Sequence, residues 1–354
     1  MILNRYLFKE ISNSFLGTLL ILTVVIVGNS FVRLLSDASI GKLPADLLGQ
    51  SLFYVSTVNL IRLIPVALLI SMMLAFSRLY RDSEIVSMQA AGVSPYSLYK
   101  AIFTFVAPLS LLLLVLVLFV SPWASGQYTS IQRQVDERPE AAGIPPGTFK
   151  VTVTADGEFT LLAEDIEKNE STMHRFFAHI RNKNGESIVW GKTAALFIDS
   201  ISGERILEIR NGARYEFPTD GTSRITHFVE HGINMPLKES HQISKANTLK
   251  TSELIQNPTV KNIAELHWRI AVILSAPLMA LLALPLSYTN PRQGRYSKIA
   301  IGILIYAVYA NFLLSGKSLL DNGRINAWIG LWWVHILLGI FIIWLIRRTF
   351  GRAK

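Results

Sequence analysis

The chain has 354 residues, 51% of them hydrophobic and only 17% charged, with a formal net charge of +9 and no cysteine. That balance excludes a single soluble domain and points to a membrane protein carrying a soluble part. Disulfides, thiolate catalysis and Cys-ligated zinc are excluded as well. Nucleic acid is not the first inference from the positive charge, because much of the basic excess sits at the edges of apolar segments.

The opening residues Met1–Glu10 read as an amphipathic lead-in to a long span. No small-residue cleavage site closes a short apolar core, so the first span is expected to be uncleaved. Six apolar segments follow, at about Phe15–Leu35, Leu52–Phe76, Leu98–Val120, Leu266–Leu286, Ile299–Leu314 and Ala327–Ile346. Each approaches or exceeds the roughly 20 residues that a hydrocarbon core of about 30 Å requires. The fifth is the shortest and extends toward Leu320.

The short loops set the orientation. With both termini inside, the inner segments hold Arg5, Lys9, Arg78, Arg81, Lys100, Arg292, Arg295, Lys298, Arg347, Arg348, Arg352 and Lys354, twelve cations in all. The outer short loops hold three, Lys42, Lys317 and Arg324. The bias places the termini and the loop after span 2 in the cytoplasm, and the large insert after span 3 on the opposite side. In a bacterium that side is the periplasm.

The cytoplasmic loop is the stretch Arg78–Gly92. Two basic residues precede an acidic pair able to cap a helix, a short amphipathic helix follows at about 82–91, and Gly92 stops it. Ser94-Pro95 is a good N-cap and first-turn pair for the next long helix. A short helix held between two spans would transmit a push from a cytoplasmic partner, with Arg81, Asp82, Glu84, Ile85 and Met88 as its contact residues. The plain alternative is an interfacial helix resting on the lipid surface.

The insert, about Ser121–Glu265, reads as β structure. Alternating runs occur at Phe149–Val153, Glu158–Glu164, His174–Arg181, Ser187–Ile198, Arg205–Arg210, Ala213–Phe217 and Arg224–Ile233, separated by turn signals that include Asn211-Gly212. Many short antiparallel strands at this spacing predict a sandwich or jelly roll. Arg138–Gly147, with three prolines and two glycines, is a linker or lid. The domains expected are 1–123 (spans 1–3 with the cytoplasmic helix), 124–262 (the β domain) and 263–354 (spans 4–6). Within the β domain, alternation nominates Phe149, Val151 and Val153, then Phe159 and Leu161, then Phe176, Ala178 and Ile180 as inward positions. Phe197, Ile206 and Tyr215 are placed on the far side of the same interior.

Catalytic motifs are absent. Gly316-Lys317-Ser318 mimics the tail of a phosphate-binding loop, but Asn311 stands where the pattern needs glycine. The run also ends a span instead of joining a strand to a helix. No His-Glu-x-x-His or Gly-x-Ser-x-Gly occurs, and the seven histidines lack ligand spacing. No cofactor or metal is therefore assigned to this chain. Arg62 is more informative, because it lies inside the second apolar segment. A central arginine costs at least about 2.5–3.5 kcal/mol on insertion scales, so it is expected to face protein or a water-filled interior. Its bland role is a structural pair with a carbonyl or a partner's carboxylate, its sharper one a cation for an anionic substrate. Arg33 and Lys317, near the outer ends of spans 1 and 5, are either snorkelling side chains or part of the same anion site.

Four elements in order then match a known pattern: an Arg-Tyr-Leu opening at 5–7, Leu-Tyr-Arg-Asp-Ser-Glu-Ile with Met-Gln-Ala-Ala-Gly at 79–92, Glu-Leu-His-Trp-Arg at 265–269, and Asn-Pro-Arg-Gln-Gly-Arg at 290–295. Together they resemble the LptF/LptG permease family of the lipopolysaccharide export ABC transporter, over the whole chain and closer to its LptF branch. The resemblance implies a six-helix α+β membrane protein, three spans plus three, with a periplasmic β-jelly roll between helices 3 and 4. It implies a bacterial inner-membrane location and a permease that is not itself an enzyme. It further implies an LptG-type partner permease, two copies of an LptB-type ATPase that binds the ATP and Mg, and an LptC-type bridge protein. Glu84 falls in the family's coupling helix. Lipopolysaccharide would meet Arg33, Arg62 and Lys317 at the membrane and Phe149, Leu161 and Ile180 in the jelly roll. One departure stands out: the family often carries more than one cation near the outer end of span 1, where this chain has Asn29, Ser30 and then only Arg33. An LptG-type subunit, or a membrane scaffold with a partner-binding β ectodomain, are the alternative readings.

Overall fold

The fold is that of a computed structural model, which describes residues 2–39, 43–137, 147, 149–154, 157–166, 172–182, 185–198, 205–219, 221–235, 246–288 and 298–351. The chain divides into two compact units, one of Met1–Ser30, Phe53–Gln127 and Ser244–Lys354, the other of Phe31–Leu52 and Tyr128–Ile243. The Asn290–Arg295 motif lies outside the described residues, as does most of the Arg138–Gly147 linker.

The helices are α1 (Ile2–Ser39), α2 (Leu48–Arg81), α3 (Glu84–Ala90), α4 (Pro95–Val115), α5 (Ser121–Glu137), α6 (Thr251–Gln256), α7 (Val260–Leu286), α8 (Ile299–Asp321) and α9 (Trp332–Phe350). Among the described residues six helical runs are long and apolar enough to cross a membrane, one for each expected segment. The apolar core of this unit gathers Leu68, Met72, Phe76 and Leu79 of α2, Ile102 and Val106 of α4, and Ala276, Met279 and Ala283 of α7. The spans in α2 and α7 are largely buried, whereas those in α1, α8 and α9 leave most of their apolar surface open.

The third span runs further than its hydropathy. A π turn at Leu116–Val120 joins α4 to α5, and helix continues to Glu137. Apolar content falls at Ser121, but helical periodicity does not: Ala124, Ile131 and Val135 are all buried. The π turn loosens the local backbone ladder. The carbonyl of Leu118, inside it, accepts a hydrogen bond of 2.8 Å from the Thr251 hydroxyl.

The second unit is built on six strands: β1 (Lys150–Thr154), β2 (Gly157–Ile166), β3 (Thr172–Asn182), β4 (Gly185–Ile198), β5 (Arg205–Pro218) and β6 (Arg224–Met235). They form one antiparallel sheet in chain order, the sheet expected between helices 3 and 4. Its buried cluster, from Leu161 and Ala163 through Phe176, Ala178 and Val189 to Leu207 and Ile209, draws among the described residues on the sheet alone. One face of the sheet, its inner face, therefore carries the buried apolar residues.

Asn211-Gly212, expected as a turn, lies within β5. Asn211 has φ 54° and Arg175, in β3, φ 50°. Asparagine takes the left-handed region at little cost, so it bends the strand instead of ending it. The two mark a crease running across the sheet through Glu164, Arg175, Lys192, Asn211 and Val229. These residues sit opposite one another, and each is skipped in the bridge register. At the crease the alternation slips by one. Buried positions in β3 pass from Met173 to Phe176, and in β4 from Gly191 to Ala194.

Candidate functional site

The loop between spans 2 and 3 holds the expected short helix, which starts later than expected and ends close to where it was expected. α3 begins at Glu84, and its N-cap Ser83 sits at φ 59° with no side-chain cap bond. Asp82 pairs with the neighbouring Arg81 at 3.0 Å and likewise does not cap. The helix ends as read: Val93 N–H reaches the Met88 carbonyl at 2.9 Å and Gly92 N–H that of Gln89 at 3.0 Å, with Gly92 at φ 89°. This is the Schellman arrangement that favours glycine. Ser94 then caps α4, accepting from Ser97 N–H at 3.3 Å. Ile85 is fully buried and anchors the helix, Met88 is half-buried, and Glu84, with its side chain 34% exposed, stays accessible.

Sequence reasoning missed what holds Glu84. The Tyr6 hydroxyl donates to Glu84 Oε2 at 2.5 Å. Arg78 Nη2 donates to the Tyr6 oxygen at 3.3 Å and pairs with Glu10 at 3.1 Å and more loosely with Glu84 at 3.9 Å. The start of α1, the end of α2 and the start of α3 thus share one polar knot. The signal was present in the Arg-Tyr-Leu opening, but contact between residues 78 apart is invisible to local pattern. Tyr6→Phe removes the hydroxyl and little else. It is expected to lower the ratio of transport to ATP hydrolysis roughly two- to tenfold, the worth of one hydrogen bond of about 0.5–1.5 kcal/mol. Purified complexes assayed for both rates check it.

The three cations assigned to an anion site differ in their surroundings. Lys317 Nζ lies 2.5 Å from Glu265 Oε2 and 5.2 Å from the centre of the Trp268 ring. Glu265 also pairs with Arg269 at 3.3 Å. Arg269 in turn reaches Thr251 Oγ1 at 2.7 Å and the Leu249 carbonyl at 2.8 Å. Lys317 therefore already has a carboxylate. Arg62 has no hydrogen-bond or ion-pair partner among the described residues. It is exposed on the surface of α2, and the charged group whose attractive field reaches it is Glu265. Arg33 is exposed on α1 and shares the surroundings of Tyr128 with Asp37.

Glu265 and Arg269 are 5% and 2% exposed. Glu265→Ala leaves a buried guanidinium unmatched, a loss of about 3–5 kcal/mol. A clear drop in the unfolding temperature of the detergent-solubilised protein is expected, with Glu265→Gln milder.

In the sheet, the register decides which nominated residues face inward. Phe159 pairs with Ile180, Leu161 with Ala178 and Ala163 with Phe176. Leu161 and Ile180 are both buried on the inner face. Phe149, Val151 and Val153 do not join them. Thr154 pairs with Gly157 across a two-residue connection, so Val151 meets Thr160 and Val153 meets Glu158, on the opposite face. Phe149, just before β1, is exposed. Alternation fixes the faces within a strand; loop length fixes how one strand's faces map onto the next. The far-side set is displaced for the same reason plus the crease: Ile206, the register partner of Phe197, and Tyr215, the partner of Ile188, lie on the outer side, while Leu207 and Ile209 turn inward.

Six spans, three before and three after an inserted antiparallel sheet, with a capped helical turn between spans 2 and 3, define a multi-pass membrane protein with a β domain. The family model for the lipopolysaccharide export system permease LptF/LptG matches residues 5–348. The chain belongs to that family, a permease of lipopolysaccharide export in the bacterial inner membrane. It is 28% identical over 349 residues to the lipopolysaccharide export system permease protein LptF of Escherichia coli K12, covering 95% of this chain and 92% of the relative. The LptF proteins of Escherichia coli O157:H7 and Shigella flexneri match to the same extent.

Proposed function

We propose that this permease takes lipopolysaccharide from the outer leaflet of the inner membrane and passes it along the inner face of its own sheet to a periplasmic bridge. The observation that carries this reading is that inner face, whose apolar lining covers β2–β4 and reaches Leu207 and Ile209 of β5 and Ile233 of β6. Each CH₂ withdrawn from the bilayer costs about 0.8 kcal/mol, so a multi-chain lipid leaves only if it is covered as it goes and if ATP drives the step. The drive comes from two copies of a cytoplasmic ATPase seated on α3, which bind the nucleotide and Mg. The charge bias of the loops supports cytoplasmic termini and a periplasmic sheet.

A second, LptG-type permease completes the membrane cavity. Arg62 supports it: a guanidinium on an open face at membrane depth is costly against lipid, so a partner or a water-filled cavity covers that face. Arg62 and, after release from Glu265, Lys317 would hold the lipid's phosphates, and Arg33, in the other unit, would be a separate contact for them. An LptC-type bridge receives the lipid.

Purification of the tagged chain from its native membrane in detergent tests the assembly. An ATPase and a second permease should co-purify, and the reconstituted complex should release lipopolysaccharide only with ATP. Recovery of the chain alone, or release without ATP, would contradict the reading.

A further inference from the structure

The inner face of the sheet changes character across its width, and the register locates the change. One row runs Leu161, Ala178, Val189, Arg214, Thr226; the next runs Phe159, Ile180, Ser187, Glu216, Arg224. Both rows are mainly apolar through β2–β4 and polar or charged on β5 and β6. The polar half is also the more open, with Arg224 exposed and Ile180 buried.

The charged residues form a connected group. Arg214 Nη2 pairs with Glu216 Oε1 at 2.8 Å, and Arg224 approaches the other oxygen of Glu216 at 4.0 Å. Arg214 Nη1 lies 3.2 Å from His231 Nε2. A guanidinium only donates, so that histidine nitrogen accepts and the ring is neutral. Burial, then the neighbouring Arg214, holds its pKa below the ordinary histidine value. The His231 ring packs on Phe228 at 4.9 Å. Arg214 Nε is buried and has no hydrogen-bond partner among the described residues. The group thus sets two guanidinium charges against one carboxylate and keeps a donor in reserve. Partly exposed ion pairs contribute little to stability, so folding alone does not account for the group.

We propose that Arg214, supported by Arg224, forms an anion subsite on the β5–β6 half of the inner face that takes the phosphate groups of the lipid while its acyl chains lie along β2–β4. The proposal rests on the conduit reading of the sheet. A guanidinium suits this task because its fork accepts two phosphate oxygens at once and it never loses its charge. Glu216 keeps Arg214 oriented when the site is empty and is displaced toward Arg224 as the phosphate arrives. The subsite would fix which way round the lipid travels, headgroup toward the open side and chains along the apolar side.

The test uses the assembled transporter in vesicles, with a photo-crosslinking residue at Thr226, beside Arg214 in the register, or at Leu161 on the apolar half. Native lipopolysaccharide and the same lipid stripped of phosphate are compared with ATP present. Native lipid should give adducts at both positions, and stripped lipid at Leu161 mainly. Arg214→Met should cut the Thr226 adduct with native lipid at least about fivefold, with Arg214→Lys intermediate, as loss of a bidentate contact predicts. A persistent Leu161 adduct in Arg214→Met shows that the sheet is folded and still carries lipid. Equal Thr226 adducts in wild type and Arg214→Met overturn the subsite and leave the conduit standing. Equal adducts from native and stripped lipid, both lost in Arg214→Met, overturn the phosphate assignment in favour of an acidic sugar. No Leu161 adduct in the wild type removes the conduit reading, and the subsite with it.

Discussion

Replacing Glu84 by alanine is expected to cut lipopolysaccharide release by at least about tenfold while the chain still inserts and folds. The carboxylate stands at the first residue of α3, where the helix N-terminus favours negative charge, and its side chain remains accessible between Tyr6 and Arg78. In the proposed assembly, an arginine of the ATPase would be its complement. Losing one member of a charge pair enclosed at an interface costs about 2–5 kcal/mol, enough to weaken assembly or to separate hydrolysis from transport. Glu84→Gln keeps an acceptor for Tyr6 but not the charge, so it should fail nearly as badly. Tyr6→Phe keeps the charge and loses only its orientation, which is why its expected effect is smaller. Wild-type release by the Glu84→Ala complex would remove α3 as the coupling element.

The second large effect concerns the two faces of the sheet. Leu161 is 2% exposed and packs within the inner cluster, so Leu161→Asp buries a carboxylate with no partner. Penalties for such groups run to several kcal/mol. Release should be abolished and the sheet's unfolding temperature lowered. Tyr215→Asp, on the opposite face by register, should cost little in either respect. A reversal of these two outcomes would mean that the faces have been assigned the wrong way round. Circular dichroism melts and release assays on the two variants decide it.

Much of this architecture is legible in the sequence because it depends on local quantities. Span length, loop charge and strand alternation each report on a window of a few residues, and they placed all six spans and the runs that make up the sheet. The glycine stop at Gly92 and the Ser94 cap were readable because their geometry demands particular residue types within a few positions. What escaped depends on relations between distant segments. Val151 and Leu161 each alternate cleanly, yet a two-residue connection puts them on opposite faces. Asn211-Gly212 carries the composition of a turn, but its neighbours in β4 and β6 continue the ladder past it, so the strand bends at a crease. Ile206 consequently faces out where Leu207 faces in. Lys317 was recognised as a cation, while the carboxylate that pairs with it lies 52 residues away in Glu265. The Tyr6–Glu84 contact is hidden for the same reason.

The central claim is that lipid travels along the inner face of the sheet. Photo-crosslinking residues placed singly at Leu161, Ile180, Val151 and Tyr215 in the reconstituted complex test it most directly, with and without ATP. The account predicts ATP-dependent lipopolysaccharide adducts at Leu161 and Ile180 and none at Val151 or Tyr215. Adducts confined to the outer-face positions, or an active complex giving none at either inner position, would contradict it.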